Sequence, residues 1–249
     1  MSADEHMTEA FVSGEDIHTA TSCRVFGVTP ENVTVEMRKR AKAVNFGILY
    51  GMGDFSLADD LKISRAQAKE YIESYLSSYP GIEKYLEDTI EGAKADGYTV
   101  TMFSRRRYIP ELTAPNKMVR NFGERIARNS PIQGTSADII KIAMINVDKR
   151  LKESGLGARL LLQVHDELIV ECPEEEASRV AEIVKREMEG AVSFAVPLTV
   201  EVSIGKTWYD CKGSASQSSA NILSAASSMM SGAYTFIESD GIKSQYNLL

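Results

Sequence analysis

The chain is predicted to be an α+β protein, a helical first half followed by a mixed second half, and three observations lead there. Helix caps and helix-ending glycines dominate the residues before about position 115. After that point, apolar runs of strand length flank a tight turn and one amphipathic helix. The composition, with 43% hydrophobic and 25% charged residues among 249, is that of a globular chain able to bury one large core or two modest ones.

The elements follow in order. Residues 8–29 are expected to be helical and to end near Gly27 and Pro30. A second helix runs from about Thr34 to about Tyr50, where Gly51 and Gly53 end it. Ser64 with Gln67 makes a capping box for a helix to about Tyr79, and Pro80-Gly81 turns the chain. Residues 82–95 form another helix, closed by Gly97. Tyr98, Val100 and Met102 alternate with polar neighbours, so a hairpin follows, with Arg105, Arg106 and Arg107 at its tip. A basic helix from Lys117 is expected to break at Pro131 and Gly134, and Thr135 or Ser136 then caps a helix ending at Gly155. The remainder reads strand (158–164), turn, strand (167–172), helix (174–189) and strand (198–204). Pro173 and Gly190 bracket that helix in the usual order.

The expected division is a helical domain over 1–114 and a sheet-containing domain over 115–212. Ser and Ala dominate residues 213–233, so 213–249 reads as a flexible tail of unknown role.

Charge and cysteine content narrow the classes. No apolar run approaches a membrane span, and the acidic start MSADEHMTEAF lacks a signal peptide's basic and apolar regions. Cys23, Cys172 and Cys211 are widely spaced and form no CxxC pair, which points to a reducing cytoplasm. The net charge of −7 hides local contrast. Residues 103–129 carry seven cations against Glu111 and Glu124, whereas 171–190 carry seven glutamates against Arg179, Lys185 and Arg186. A basic surface opposed to an acidic helix suits a polarised binder of nucleic acid.

Three constellations could carry chemistry. Arg38, Lys42, Phe46 and Tyr50, spaced by four in RKRAKAVNFGILYG, form one stripe on a helix. Cations followed by rings could hold a phosphate and then a base; an amphipathic helix with solvated cations and core aromatics has the same spacing. Gly47 and Gly51 each cost roughly 1 kcal/mol in a helix interior, which asks for close approach of another surface. In LLLQVHDELIV, a hairpin would put His165 and Asp166 at the bend beside Glu167, a place for hard divalent cations or simply a polar turn. Arg125, Asn129 and Gln133, again four apart, could contact bases and sugars in a groove or form a solvated polar face.

In combination and order, RxxxKxxxFxxxY, RxxxNxxxQG and QVHDE closely resemble the C-terminal polymerase region of family A DNA polymerases, the bacterial DNA polymerase I type. The resemblance covers roughly residues 4–212 and includes EDIHTAT around His18, SRRRYIPE and the ending VEVSIGKTWYD. It implies a helical fingers subdomain followed by part of an antiparallel-sheet palm. Arg38 and Lys42, assisted by His18, would bind the phosphates of a deoxynucleoside triphosphate. Phe46 would pack on its sugar and base, with Tyr50 beside the insertion site. Arg105–Arg107, Arg125, Asn129 and Gln133 would contact primer-template DNA, and His165 would lie at the primer terminus. Asp166, supported by Glu167, would hold Mg2+ in a two-metal site whose ions stand about 3.5–4 Å apart. A place in DNA replication or DNA repair follows.

One departure bears on activity. Family A enzymes carry a second metal-binding Asp in an upstream palm strand reading DYSxIExR, which this chain lacks. Asp4 lies in Ser2-Ala3-Asp4, but Glu5-His6-Met7 follow, and it is too near Arg38 for the family's separation. On this resemblance the thumb and any exonuclease domain are expected to be missing as well. The chain is therefore expected to be inactive alone, as a fragment or one piece of a split enzyme whose missing half is a separate chain. The alternative is a non-catalytic remnant that binds DNA or nucleotide. A histidine–aspartate metal phosphohydrolase is disfavoured by a total of three histidines.

Overall fold

The computed structural model describes residues 1–213 and 233–238. The chain divides into two compact units, Met1–Thr135 and Ser136–Leu249, so the division lies at Thr135 rather than near residue 115. Each unit has its own apolar cluster.

In the first unit, α1 (Glu5–Val12) begins behind Asp4, and α2 (Ile17–Phe26) begins behind Asp16. These two helices replace the single one expected over 8–29. The break is local: Gly14 takes φ 73°, and Asp16 turns its carboxylate onto the His18 and Thr19 amides as an N-cap. Asp4 does more than cap. One carboxylate oxygen accepts from Met7 N at 2.8 Å, and the other accepts from Gly81 N at 2.8 Å. A Cβ on Gly81 would stand 2.9 Å from Asp4 Cα, so only glycine lets the segments approach this closely. Asp4→Ala should therefore destabilise this unit by roughly 1–3 kcal/mol. An unchanged urea midpoint would refute that role.

Helix α3 (Val35–Leu49) starts at Thr34, whose hydroxyl accepts from Met37 N at 3.2 Å. A short helix absent from the sequence reading, α4 (Asp54–Leu61), follows and buries Leu57, Ala58 and Leu61. Eight residues hold barely two turns of pattern, too few for periodicity to stand out. The predicted capping box is present at the start of α5 (Arg65–Ser78). Helix α6 (Pro80–Asp96) ends at Gly97, whose φ of 77° is the left-handed cap expected there. Val44, Ile48, Leu57, Leu61, Tyr75 and Leu86 pack in one buried cluster, which fixes α3 against α4, α5 and α6.

Strands β1 (Tyr98–Val100) and β2 (Arg106–Tyr108) pair antiparallel. The tip is formed by residues 101–105, with Ser104 at φ 63°. Arg106 and Arg107 therefore lie on β2, and of the triplet only Arg105 is in the turn.

Helix α7 (Lys117–Ser154) runs unbroken for 38 residues with Pro131 inside it, where two helices were expected. The residues read as breakers have packing roles instead. A Cβ on Gly134 would lie 2.6 Å from Thr101 Cγ2, so glycine admits the hairpin against the helix. Thr135, expected as a cap, accepts from Met102 N at 3.0 Å. The missing Pro131 amide costs one helical bond, but the segment around it is buried, and tertiary packing overrides the local preference.

In the second unit, β3 (Arg159–Val164), β4 (Glu167–Cys172), β5 (Glu201–Gly205) and β6 (Ala233–Glu238) form an antiparallel sheet in the order β3-β4-β6-β5. Helix α8 (Ala177–Glu189) buries Val180, Val184 and Met188 with Leu168, Val170, Val147 and Leu151. Its exposed residues include Arg179, Glu182, Lys185 and Arg186, so that face carries both signs of charge rather than acids alone. Helix α9 (Trp208–Gly213) follows β5. Strand β6 is a correction: residues 233–238 belong to the stretch read as flexible tail, yet they occupy an interior position of the sheet. The rest of that stretch, 214–232 and 239–249, lies outside the described residues.

Candidate nucleotide and nucleic-acid site

The first cluster is built on α2 and α3. The Arg38 guanidinium donates through Nε to Asp16 Oδ2 at 2.6 Å. Burial alone would raise the Asp16 pKa, but bonds from Arg38 and from Thr19 outweigh it and hold the carboxyl down to about 2. Asp16 thus has two uses, capping α2 and orienting Arg38. Sequence reasoning missed the second, because the partners are 22 positions apart.

His18 sits beside this pair. Its pKa is lowered by burial first, then by the charges of Arg38 and Lys42, with Asp16 opposing them. Asn45, 3% exposed, fixes the ring from the other side. Its Oδ1 accepts from the Thr21 hydroxyl at 2.9 Å, which leaves its Nδ2 to donate to His18 Nδ1 at 3.0 Å. An accepting Nδ1 puts the ring proton of the neutral form on Nε2. His18 is thereby held as a neutral hydrogen-bond donor next to two cations. Asn45 was not singled out from the sequence, since a lone Asn inside RKRAKAVNFGILYG has no spacing signal.

The aromatic part of the stripe is also in place. Phe46 packs against His18 with ring centroids 5.8 Å apart and stacks with Tyr50 at 6.3 Å. Phe46 is only 5% exposed, so its ring is the floor of the cluster, while Tyr50 is half-buried at its edge. Lys42 is half-buried and forms no ion pair among the described residues. The bland reading of the stripe holds for Phe46, which is core. Arg38 is exposed and ion-paired with Asp16, and Lys42 is half-buried near His18.

The two glycines have distinct reasons. A Cβ on Gly47 would meet Met52 Sδ at 2.8 Å, where the chain folds back on α3. Gly51 takes φ 80°, and a Cβ there would lie 3.0 Å from an Arg128 guanidinium nitrogen and 3.4 Å from Arg125 Cγ. Close approach of another surface is therefore the case, and that surface is α7. Arg128, not among the predicted residues, is the one it meets; burial lowers the Arg128 pKa.

On α7, Arg125 and Gln133 are exposed, and Asn129 is half-buried. Arg125 lies over the Phe122 ring at 5.8 Å. The Asn129 Oδ1 atom is buried and accepts no hydrogen bond among the described residues. The hairpin arginines are all exposed, and Arg106 stacks over Tyr98 at 4.8 Å. Arg105–Arg107 and Arg125 are thus exposed cations of this unit.

In the second unit, Val164 pairs with Glu167, so His165 and Asp166 form a two-residue turn between β3 and β4. His165 takes φ 54° and is exposed; Gln163 Nε2 donates to its carbonyl oxygen. Asp166 is 6% exposed, and Glu167, the first residue of β4, is half-buried. Two adjacent carboxylates at one bend are hard oxygen donors, and Mg2+ is commonly held by one or two carboxylates with water and phosphate completing its shell. The residues present fit such an ion. Among the described residues, no group of three or more His, Cys, Asp or Glu side chains is arranged to hold one.

A family model described as DNA polymerase family A matches residues 1–210. This chain belongs to DNA polymerase family A. It is 51% identical over 212 residues to DNA polymerase I of Caldicellulosiruptor bescii and 53% identical over 209 residues to that of Bacillus caldotenax. These alignments cover 85% and 84% of this chain but 25% and 24% of the relatives, so the chain spans about a quarter of their length. Among solved structures it is similar to the POL domain of Pol1 from M. smegmatis, in complex with DNA primer-template and dNTP. That likeness has a TM-score of 0.75 at 46% identity, over 79% of this chain and 35% of the other. The family A assignment carries the α+β architecture, with helices first and a small antiparallel sheet after.

Proposed function

We propose that this chain is the fingers and distal palm portion of a DNA-directed DNA polymerase, holding an incoming deoxynucleoside triphosphate and primer-template DNA. The observation that carries the reading is the Arg38–Lys42–His18 cluster: two cations on one face of α3, beside stacked Phe46 and Tyr50, and the His18 ring of α2, whose Nδ1 accepts from Asn45 and leaves Nε2–H as the donor. A triphosphate satisfies the charges and a nucleoside satisfies the rings. A structural helix needs no half-buried Lys42 without an ion-pair partner among the described residues.

In this reading Arg38 and Lys42 bind phosphate oxygens, and His18 donates a further hydrogen bond. Tyr50 borders the base, Phe46 supports the sugar side, and Arg125, Asn129 and Gln133 contact the primer-template. Asp166 and Glu167 would hold Mg2+, with His165 at the primer terminus. When bound, that cation supplies stabilisation of charge on the attacking and leaving oxygens of phosphoryl transfer. In this reading the chain's own residues orient the triphosphate. The wide spacing of Cys23, Cys172 and Cys211, with no CxxC pair, accords with a cytoplasmic setting in DNA replication or repair.

Two carboxylates from one bend are a partial two-metal site, and we expect the purified chain to extend primers not at all or very poorly. Gel-resolved extension with Mg2+ tests this. Robust extension that Asp166→Ala abolishes would overturn the expectation. The second reading, a non-catalytic DNA- or nucleotide-binding remnant, rests on that same incomplete carboxylate set. Arg106→Ala should weaken DNA binding and reduce the slope of log affinity against log salt by about one contact's worth. An unaltered slope would leave the hairpin without a phosphate contact.

A further inference from the structure

The sheet of the second unit contains a strand that the family does not account for. Strand β6 pairs antiparallel with β4, from Leu168 opposite Ile237 to Cys172 opposite Ala233. On its other side it pairs with β5, from Glu201 opposite Glu238 to Gly205 opposite Tyr234. Among the described residues, β6 is the only strand bonded to β5, and β4 reaches β5 only through it. Yet the family match ends at residue 210, and β6 begins at Ala233.

The matched portion alone therefore leaves a gap of one strand between β4 and β5. The cost of an empty gap is large in physical terms. Leu168, Ile169, Val170 and Cys172 of β4 are 0–3% exposed, and their backbone amides and carbonyls need partners on both sides. An open edge at that place would also invite another chain to add a strand. Relatives that share only about a quarter of their length with this chain have three quarters of it outside the shared part, from which a closing strand can come.

We propose that Ala233–Glu238 is a built-in donor strand. It closes the sheet in cis, where the longer relatives use a segment that lies outside the matched portion. Strand β4 begins at Glu167, directly after Asp166, so the donor strand also braces the carboxylate turn. A consequence follows for any complementing polypeptide: a strand offered in trans meets an occupied position and must displace β6 first. This inference rests on the sheet pairing and stands whether or not the chain binds nucleotide.

The test uses the full-length chain in a Cys23→Ser, Cys211→Ser background. Ala233→Cys places a thiol opposite native Cys172. In a companion protein that also carries Cys172→Ser, Glu171→Cys and Tyr234→Cys probe the neighbouring pair. Of two adjacent antiparallel pairs, one is the closer, non-hydrogen-bonded kind suited to a disulfide. Diamide oxidation followed by peptide mapping should give a disulfide in at least one aligned variant. Thr235→Cys, two positions out of register with Cys172, should cross-link about tenfold more slowly or not at all.

A second arm needs no cross-link. Thr235→Pro removes a donor from an interior strand. It should speed amide exchange at 168–172 and 201–205 by about tenfold or more, with exchange in α5 unchanged. Absence of both aligned disulfides, together with unchanged exchange in Thr235→Pro, would overturn the proposal.

Discussion

Lys42→Ala is expected to weaken deoxynucleoside triphosphate binding by roughly 1.5–3 kcal/mol, about ten- to a hundred-and-fifty-fold. The effect is large because Lys42 is half-buried and without an ion-pair partner among the described residues. Its alanine variant leaves no buried anion behind, so the loss reports the phosphate contact alone. Arg38 differs: Asp16 holds it at 2.6 Å, and Arg38→Ala would free that carboxylate beside the phosphates as well. Arg38→Ala should thus lose at least as much affinity, and the double variant Asp16→Asn, Arg38→Ala should recover part of it. Titration of the purified chain with a triphosphate, followed by calorimetry or by Tyr fluorescence, reads all three. Equal affinity for wild type and Lys42→Ala would remove the phosphate assignment.

Asn45→Leu is expected to destabilise the first unit by roughly 1–3 kcal/mol, because it strands the buried Thr21 hydroxyl and takes the donor from His18 Nδ1. The size of the side chain is nearly kept, so the loss would be one of hydrogen bonds more than of packing. A pH series adds a second readout. The His18 pKa is lowered in the fold, by burial first and then by Arg38 and Lys42, so the unfolded chain binds its proton more readily. Stability should be fully present above the ordinary histidine value of about 6.5 and fall as pH drops below it toward the folded value. His18→Gln should flatten that fall. Asp16 acts lower on the scale: its contribution is present above 3.8 and lost as pH falls toward about 2. Urea midpoints across pH would separate the two, and a His18→Gln slope equal to wild type would show the histidine is not the titrating group.

Local signals were read correctly where they are self-contained. Thr34 and the Ser64–Gln67 box start their helices, Gly97 ends α6, and Val164–Glu167 forms the tight turn with Asp166 at the bend. Each depends on neighbours within a few residues. The errors fell where a residue with a local meaning had a distant partner. Pro131, Gly134 and Thr135 look like a helix break, but Thr101 and Met102 are what they meet. Asp16 reads as one more polar residue in a helical run until Arg38 is placed against it. Asn45 and Arg128 have no periodic signature, and only the approach of α2 and α7 gives them a task.

By itself, then, the order of residues determined the family, the helical character of the stripe from Arg38 to Tyr50 and the position of the carboxylate turn, because spacing and motif order survive without coordinates. Tertiary structure alone decided that Phe46 is floor while Lys42 is half-buried, that Asn45 orients the His18 ring, and that a strand from beyond the Ser/Ala-rich stretch lies between β4 and β5. Composition made 213–249 look unable to fold, since it buries too little apolar surface to offset its own ordering entropy. A strand inserted into a sheet with two open edges does not need to offset that cost alone. The ladders on both sides supply the partners, and they are invisible in the segment that uses them.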